Sequence, residues 1–221
     1  MNPALAIGLY VVVLCAAFVA WQAGLDRGED RPRLRLRPVA TAVAFVVVAV
    51  PSVLQLTVAG GLLQAWQRDP DATWAGQLWR VATALVVQDG GWAGAVFNLA
   101  ALLWIGIPAE EAWGSRRWTV IALCAGLGAQ LWGWVVQPFG AGNSVVIYGL
   151  AASLLVRGLA GPALQPRIAG MAGLLAAAIL LVGGDIHGGA AAIGAVVAVV
   201  LLHRTGGYPA LSPRGGGASD R

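Results

Sequence analysis

Apolar residues run along this chain in long blocks, separated by short polar or arginine-bearing segments. Seven blocks have roughly the length of helix that crosses a hydrocarbon core: about 3–25, 39–66, 91–108, 118–136, 139–156, 168–184 and 186–202. The first block has the length of a signal sequence. Its opening residues, Met1 to Gly8, carry no basic side chain, and a strongly charged loop follows, so it reads as a signal anchor or an extra transmembrane helix. The apolar stretch Val81 to Val87 is too short to span and reads as an interfacial or re-entrant piece of the longest inter-helix segment, about 67–90. The tail 204–221, rich in Gly, Pro, Ser and Arg, reads as disordered.

Composition agrees with the pattern. Of 221 residues 58% are hydrophobic and 11% charged, less than half the charge of an ordinary soluble domain. The net charge of +4 comes from 14 arginines and no lysine, an all-Arg usage that fits a GC-rich coding bias. The arginines lie between apolar blocks, which points to topology rather than to nucleic acid, and no nucleic-acid partner is expected. With the loop 26–38 (Arg27, Arg31, Arg33, Arg35, Arg37) in the cytoplasm, alternation also places Arg116, Arg117, Arg157, Arg167, Arg204, Arg214 and Arg221 there. Only Arg68 and Arg80 fall outside, so 12 of 14 obey the positive-inside rule, with the N-terminus outside and the C-terminus cytoplasmic. Cys15 and Cys124 lie in separate apolar blocks without metal-ligand spacing, and no disulfide is expected.

Polar groups inside membrane helices are costly and so mark candidate chemistry. They are Asn98, Ser144, Asp185 and His187; the second histidine, His203, sits at a helix edge where solvent satisfies it. The topology puts Ser144 about five residues, and His187 about two residues, below the outer ends of their helices. At 1.5 Å per residue their depths match, as a nucleophile and its base require. Asn98 lies deeper in the same leaflet. Tyr148 follows Ser144 by one turn on the same face. Gly189, Ala190 and Gly194 give the last helix a small face for close packing. Each residue also has a bland use: serine bonds its own backbone, asparagine joins helices, and a histidine or aspartate can relay protons.

Taken in order, the motifs resemble the rhomboid family of intramembrane serine proteases. Trp79-Arg80 is similar to its external-loop Trp-Arg pair, and Gly90-Gly91-Trp92 with Phe97-Asn98 to its second-helix signature. Gly106, Glu110 and Gly114 match the glycine and Glu-x-x-x-Gly pattern closing that helix. Gly142-Asn143-Ser144 resembles the nucleophile's Gly-x-Ser, and His187 with Gly189 and Gly194 the histidine helix. The resemblance implies an all-α membrane fold: residues 1–38 as an added helix and Arg-rich loop, 39–203 as a six-helix core, and 204–221 as a tail. It also implies a Ser144–His187 dyad without an acidic third member. The Ser144 backbone N–H and Asn98 would bind the oxyanion, with Gly142 and Tyr148 in support. Membrane proteins would be the substrates, lipid the surroundings and a bacterial plasma membrane the location, with no metal or organic cofactor.

Three positions depart from the pattern. Gly94 stands where the family usually has a histidine one turn before the asparagine, Asp89 where a second histidine commonly precedes Gly-Gly-Trp, and Val145 where glycine follows the serine. Two other readings therefore stay open: a rhomboid-like pseudoprotease that binds transmembrane segments without cleaving them, and a small transporter using Asn98, Asp185 and His187 as a polar path. The second predicts inverted repeats or interrupted helices in corresponding halves, which the sequence does not display.

Overall fold

The computed structural model describes residues 1–25 and 37–204. Most of the Arg-rich loop and nearly all of the C-terminal tail therefore lie outside the described residues. What is described is helical, and six helices are long and apolar enough to cross a membrane. They are α1 (Pro3–Leu25), α2 (Val39–Thr57), α6 (Gly91–Trp113), α7 (Ser115–Val136), α9 (Leu164–Val182) and α10 (Ile186–Arg204). A seventh, α8 (Ser144–Ala160), is apolar but shorter. Between α2 and α6 the chain forms three short helices, α3 (Leu62–Trp66), α4 (Pro70–Trp74) and α5 (Arg80–Thr83).

Two expected spans are corrected. The block 39–66 is not one helix: α2 stops at Thr57, and Gly60-Gly61 separates it from α3. Glycine is a poor helix former, so two in a row disfavour carrying the helix on. The block 139–156 begins as a helix only at Ser144. Gly140 and Gly142 have φ of 150° and 141°, outside the helical range, and the Gly142 N–H donates to the Ala84 carbonyl instead. Ser144 is therefore the first residue of its helix rather than the fifth.

α8 is the buried centre of the bundle. Leu150, Ala151, Ala152, Ser153 and Leu155 are fully buried, with α7, α9, α10 and α1 around it. Its approach to α10 is set by two glycines. A Cβ on Gly194 would lie 2.3 Å from the Gly149 carbonyl oxygen, and one on Gly149 would lie 2.1 Å from Ala125 Cβ on α7. Backbones meet this closely only where side chains are absent. α1 is no loose appendage. Val13 and Ala17 are fully buried, and a Cβ on Gly158 of α8 would meet Ala20 at 2.8 Å. The opposite faces carry exposed Val43, Val46, Val47, Val50, Leu175 and Val199, which suits contact with lipid.

Polar groups tie the ends. The Glu110 carboxylate accepts from the Ala40 and Thr41 backbone N–H groups at 2.8 and 2.7 Å, and from the Ser115 hydroxyl at 2.6 Å. It satisfies orphan donors at the start of α2 from the end of α6, while Gly114, at φ 75°, makes the turn into α7. Arg80 donates to Gln77 Oε1 and to the carbonyls of Gln64 and Gln67, stitching the segment between α3 and α5 together. The short apolar stretch after it turns inward, with Ala84 and Val87 fully buried.

The glycine contact has a direct test. Gly194→Val should lower stability by at least about 1–3 kcal/mol, the usual cost of overpacking, read as a fall in Tm in detergent. Gly8→Val, where an added Cβ meets nothing within 4 Å, should leave Tm nearly unchanged.

Candidate active site

Ser144 and His187 come together at one end of the bundle. Ser144 opens α8, and His187 is the second residue of α10. Above the Gly149–Gly194 contact the two helices place the Ser144 hydroxyl 2.9 Å from His187 Nε2. Asp185, just before α10, caps it: Oδ1 accepts from the His187 backbone N–H at 2.8 Å. The same oxygen lies 2.8 Å from His187 Nδ1. A proton on Nδ1 satisfies that contact and leaves Nε2 as the acceptor facing the serine. The geometry thus adds a carboxylate to the expected dyad.

Aromatic rings hold the imidazole on two sides. Tyr148 of α8 and Tyr10 of α1 each lie 4.7 Å from it, centroid to centroid, and 5.6 Å from each other. The Tyr10 hydroxyl donates to Asp185 Oδ2. The Asp185 backbone carbonyl accepts from Trp132 Nε1 of α7 at 3.2 Å. Burial pushes the Asp185 carboxyl up, but the hydrogen bonds from His187 and Tyr10 and the pairing with His187 outweigh it, so its pKa lies below the usual carboxylate value.

Asn98 reaches the site from the first third of α6. Its Nδ2 donates to Gln88 Oε1 at 2.7 Å, and Gln88 Nε2 donates to Asn143 Oδ1 at 3.1 Å. Gln88 is buried and held by Gln55 of α2 through its backbone N–H and carbonyl, both at 2.7 Å. The Asn98 and Gln88 carboxamides border the space beside Gly142. A Cβ there would lie 3.3 Å from Asn98 Nδ2 and 3.8 Å from Ser144 Oγ, so the absent side chain leaves a place within reach of both. Around Gly94 an added Cβ meets nothing within 4 Å, so the place of the family's histidine is open.

A cavity of about 90 Å³ adjoins Ser144, lined by Arg68, Asp89, Gln130, Gln137, Val145 and His187 among others. Arg68 is buried and braces the segment leading to the serine. It donates to the carbonyls of Gln137 and Phe139 and to Gln130 Oε1, and its backbone N–H donates to the Gly140 carbonyl. Burial lowers its pKa to about 10, partly offset by Asp89, so it remains a cation at neutral pH. Asp89 Oδ2 accepts from the Ala141 N–H at 2.9 Å. The position where the family commonly has histidine here fastens the same segment.

The five residues given site roles by the resemblance, Asn98, Gly142, Ser144, Tyr148 and His187, meet in this cluster. Gln88 and Tyr10 were not singled out. Asp185 was, but only as a polar group in a membrane, although an aspartate two residues before a histidine at a helix start is a recognisable capping position.

The Rhomboid domain profile matches residues 75–205, more than half of the chain, and the chain belongs to the rhomboid family. It is a multi-pass membrane protein of this intramembrane protease family. It is similar to Rhomboid protease GluP of Bacillus subtilis (strain 168), with 36% identity over 81 residues, 36% of this chain. That match spans only 16% of the relative's length.

Asp185 yields a pH prediction. A carboxyl with a depressed folded pKa contributes stability that is present above its unfolded value, near 4, and is lost as pH falls through the folded value. Asn caps a helix about as well as Asp. The Tm difference between wild type and Asp185→Asn should therefore shrink between pH 5 and pH 3 in detergent.

Proposed function

We propose that the protein is an intramembrane serine endopeptidase that cleaves membrane proteins within or near their transmembrane segments. The observation that carries this reading is the 2.9 Å contact between Ser144 Oγ and His187 Nε2, in a chain of the rhomboid family. Ser144 attacks the scissile carbonyl while its proton passes to Nε2. The tetrahedral intermediate collapses, the C–N bond breaks, and His187 returns the proton to the leaving amine. Water, deprotonated by the same nitrogen, then releases the acyl group from Ser144.

The oxyanion falls in the space beside Gly142. The Ser144 backbone N–H, an orphan at the start of α8, and Asn98 Nδ2 are its donors. Gln88 holds Asn98 in place, a support that the open position at Gly94 does not give. The described arginines at the far end of the bundle, Arg116, Arg117, Arg157, Arg167 and Arg204, favour an N-terminus and active site on the outer side.

Gly94 and Val145 favour a second reading, a family member that binds transmembrane segments without hydrolysing them. Cleavage of a single-pass model substrate in liposomes separates the two. Ser144→Ala and His187→Ala should each abolish cleavage with Tm near wild type, and the double variant should be no worse, because the pair acts as a unit. Cleavage that persists in Ser144→Ala removes the serine assignment, and a folded wild type that cleaves nothing leaves the binding reading.

Gly142→Ala tests the oxyanion place. The methyl would occupy it and strain a backbone at φ 141°. A fall in kcat of about 10²–10³ is expected, the usual cost of losing an oxyanion donor, with Ser144 and His187 unchanged. Wild-type kcat in this variant would move the oxyanion elsewhere.

A further inference from the structure

We infer that helix α1 is part of the catalytic apparatus: Tyr10 and Asp185 act as positioning residues that hold His187 for proton transfer. The inference rests on the protease reading and goes beyond the expected two-residue site. Tyr10 also lies outside residues 75–205, the segment that matches the family.

The contacts form one ordered chain across three helices. The Tyr10 hydroxyl donates to Asp185 Oδ2, Asp185 Oδ1 faces His187 Nδ1 at 2.8 Å, and His187 Nε2 faces Ser144 Oγ at 2.9 Å. Oδ1 also takes the His187 backbone N–H, so the capping bond and the ring bond fix the imidazole together. With one oxygen so used, the carboxylate's rotation about its own bond is fixed by what holds the other. That partner is Tyr10. Its ring also packs 4.7 Å from the imidazole at 64°, opposing drift of His187 away from Ser144. Tyr10 is in turn set by α1, whose Val13, Leu14 and Ala17 are buried in the core.

Chemically, a carboxylate on Nδ1 keeps the proton there, so Nε2 is free to accept from serine. It also stabilises the imidazolium that forms in the transition state. In the low dielectric of a membrane protein that charge has few other partners. The Tyr10 bond keeps the carboxylate aimed and ionised.

The alternative is that Asp185 only caps α10 and Tyr10 only fills space. Conservative variants of the full chain separate the two. Tyr10→Phe keeps the ring and removes the hydroxyl. Asp185→Asn keeps a capping side chain and removes the charge. Cleavage kinetics of the same liposome substrate, the rate of labelling by a fluorophosphonate, and Tm are measured for each.

The expected result for Tyr10→Phe is a kcat and labelling rate about ten-fold lower, the scale of one hydrogen bond to a charged group, with KM unchanged. For Asp185→Asn the fall is about 10²–10⁴. The double variant should equal Asp185→Asn, because Tyr10 acts through the carboxylate. Wild-type kcat and labelling in Tyr10→Phe, beside a wild type that labels at Ser144, overturns the inference and leaves the protease reading standing. A loss confined to Tm, or independent additive losses, overturns it as well. A folded wild type that neither labels nor cleaves overturns both.

Discussion

The Gly149–Gly194 contact is the constraint on which the site depends. Ser144 and His187 are on different helices, and neither reaches far: a serine hydroxyl extends barely beyond its own backbone. Their meeting at 2.9 Å requires α8 and α10 to touch backbone to backbone, which is possible only because neither helix has a side chain at the crossing. Membrane helices gain no hydrophobic driving force from one another, so such close packing is what holds them. The same crossing that stabilises the bundle thereby brings Ser144 and His187 within hydrogen-bond distance.

Around this pair most of the buried polar groups find partners, Asn143 Nδ2 being an exception. Each side chain of the candidate site is held by a group from a different part of the fold: Asp185 and Tyr10 on one side of His187, Gln88 beside Asn98, and Arg68 beneath the segment before Ser144. In the apolar surroundings these bonds are stronger than in water and costlier to leave unmade. The network therefore fixes one geometry. Glu110 does the same at the far end, joining the start of α2 to the turn between α6 and α7.

Much of this was legible in the sequence, for physical reasons. Apolar blocks of spanning length and the arginine pattern are one-dimensional signals, and together they put Ser144 and His187 at matched depth before any contact was known. Glu110 and Gly114 stood out only through the resemblance to the family's Glu-x-x-x-Gly pattern, and the structure supplies the reason, a carboxylate capping α2 beside a glycine at φ 75°. The start of α8 was not legible. Gly140 and Gly142 do not by themselves exclude a membrane helix from Phe139 onward, and it is their backbone angles, φ 150° and 141°, that delay the helix to Ser144. The break of the 39–66 block at Gly60-Gly61 was missed likewise, since glycine is also common inside membrane helices. Gln88 and Tyr10 act through tertiary contacts with residues 10 and 175 positions away, and no periodicity carries such pairings.

The central claim is that these helices convert an ordinary serine at a helix start into a nucleophile. Mapping the covalent adduct by mass spectrometry, after treating the folded protein with a fluorophosphonate, tests it most directly. The predicted result is one phosphonylated peptide carrying the adduct on Ser144, absent from His187→Ala protein of unchanged Tm. An adduct on another serine such as Ser52 or Ser153, or equal modification of Ser144 without His187, would contradict it.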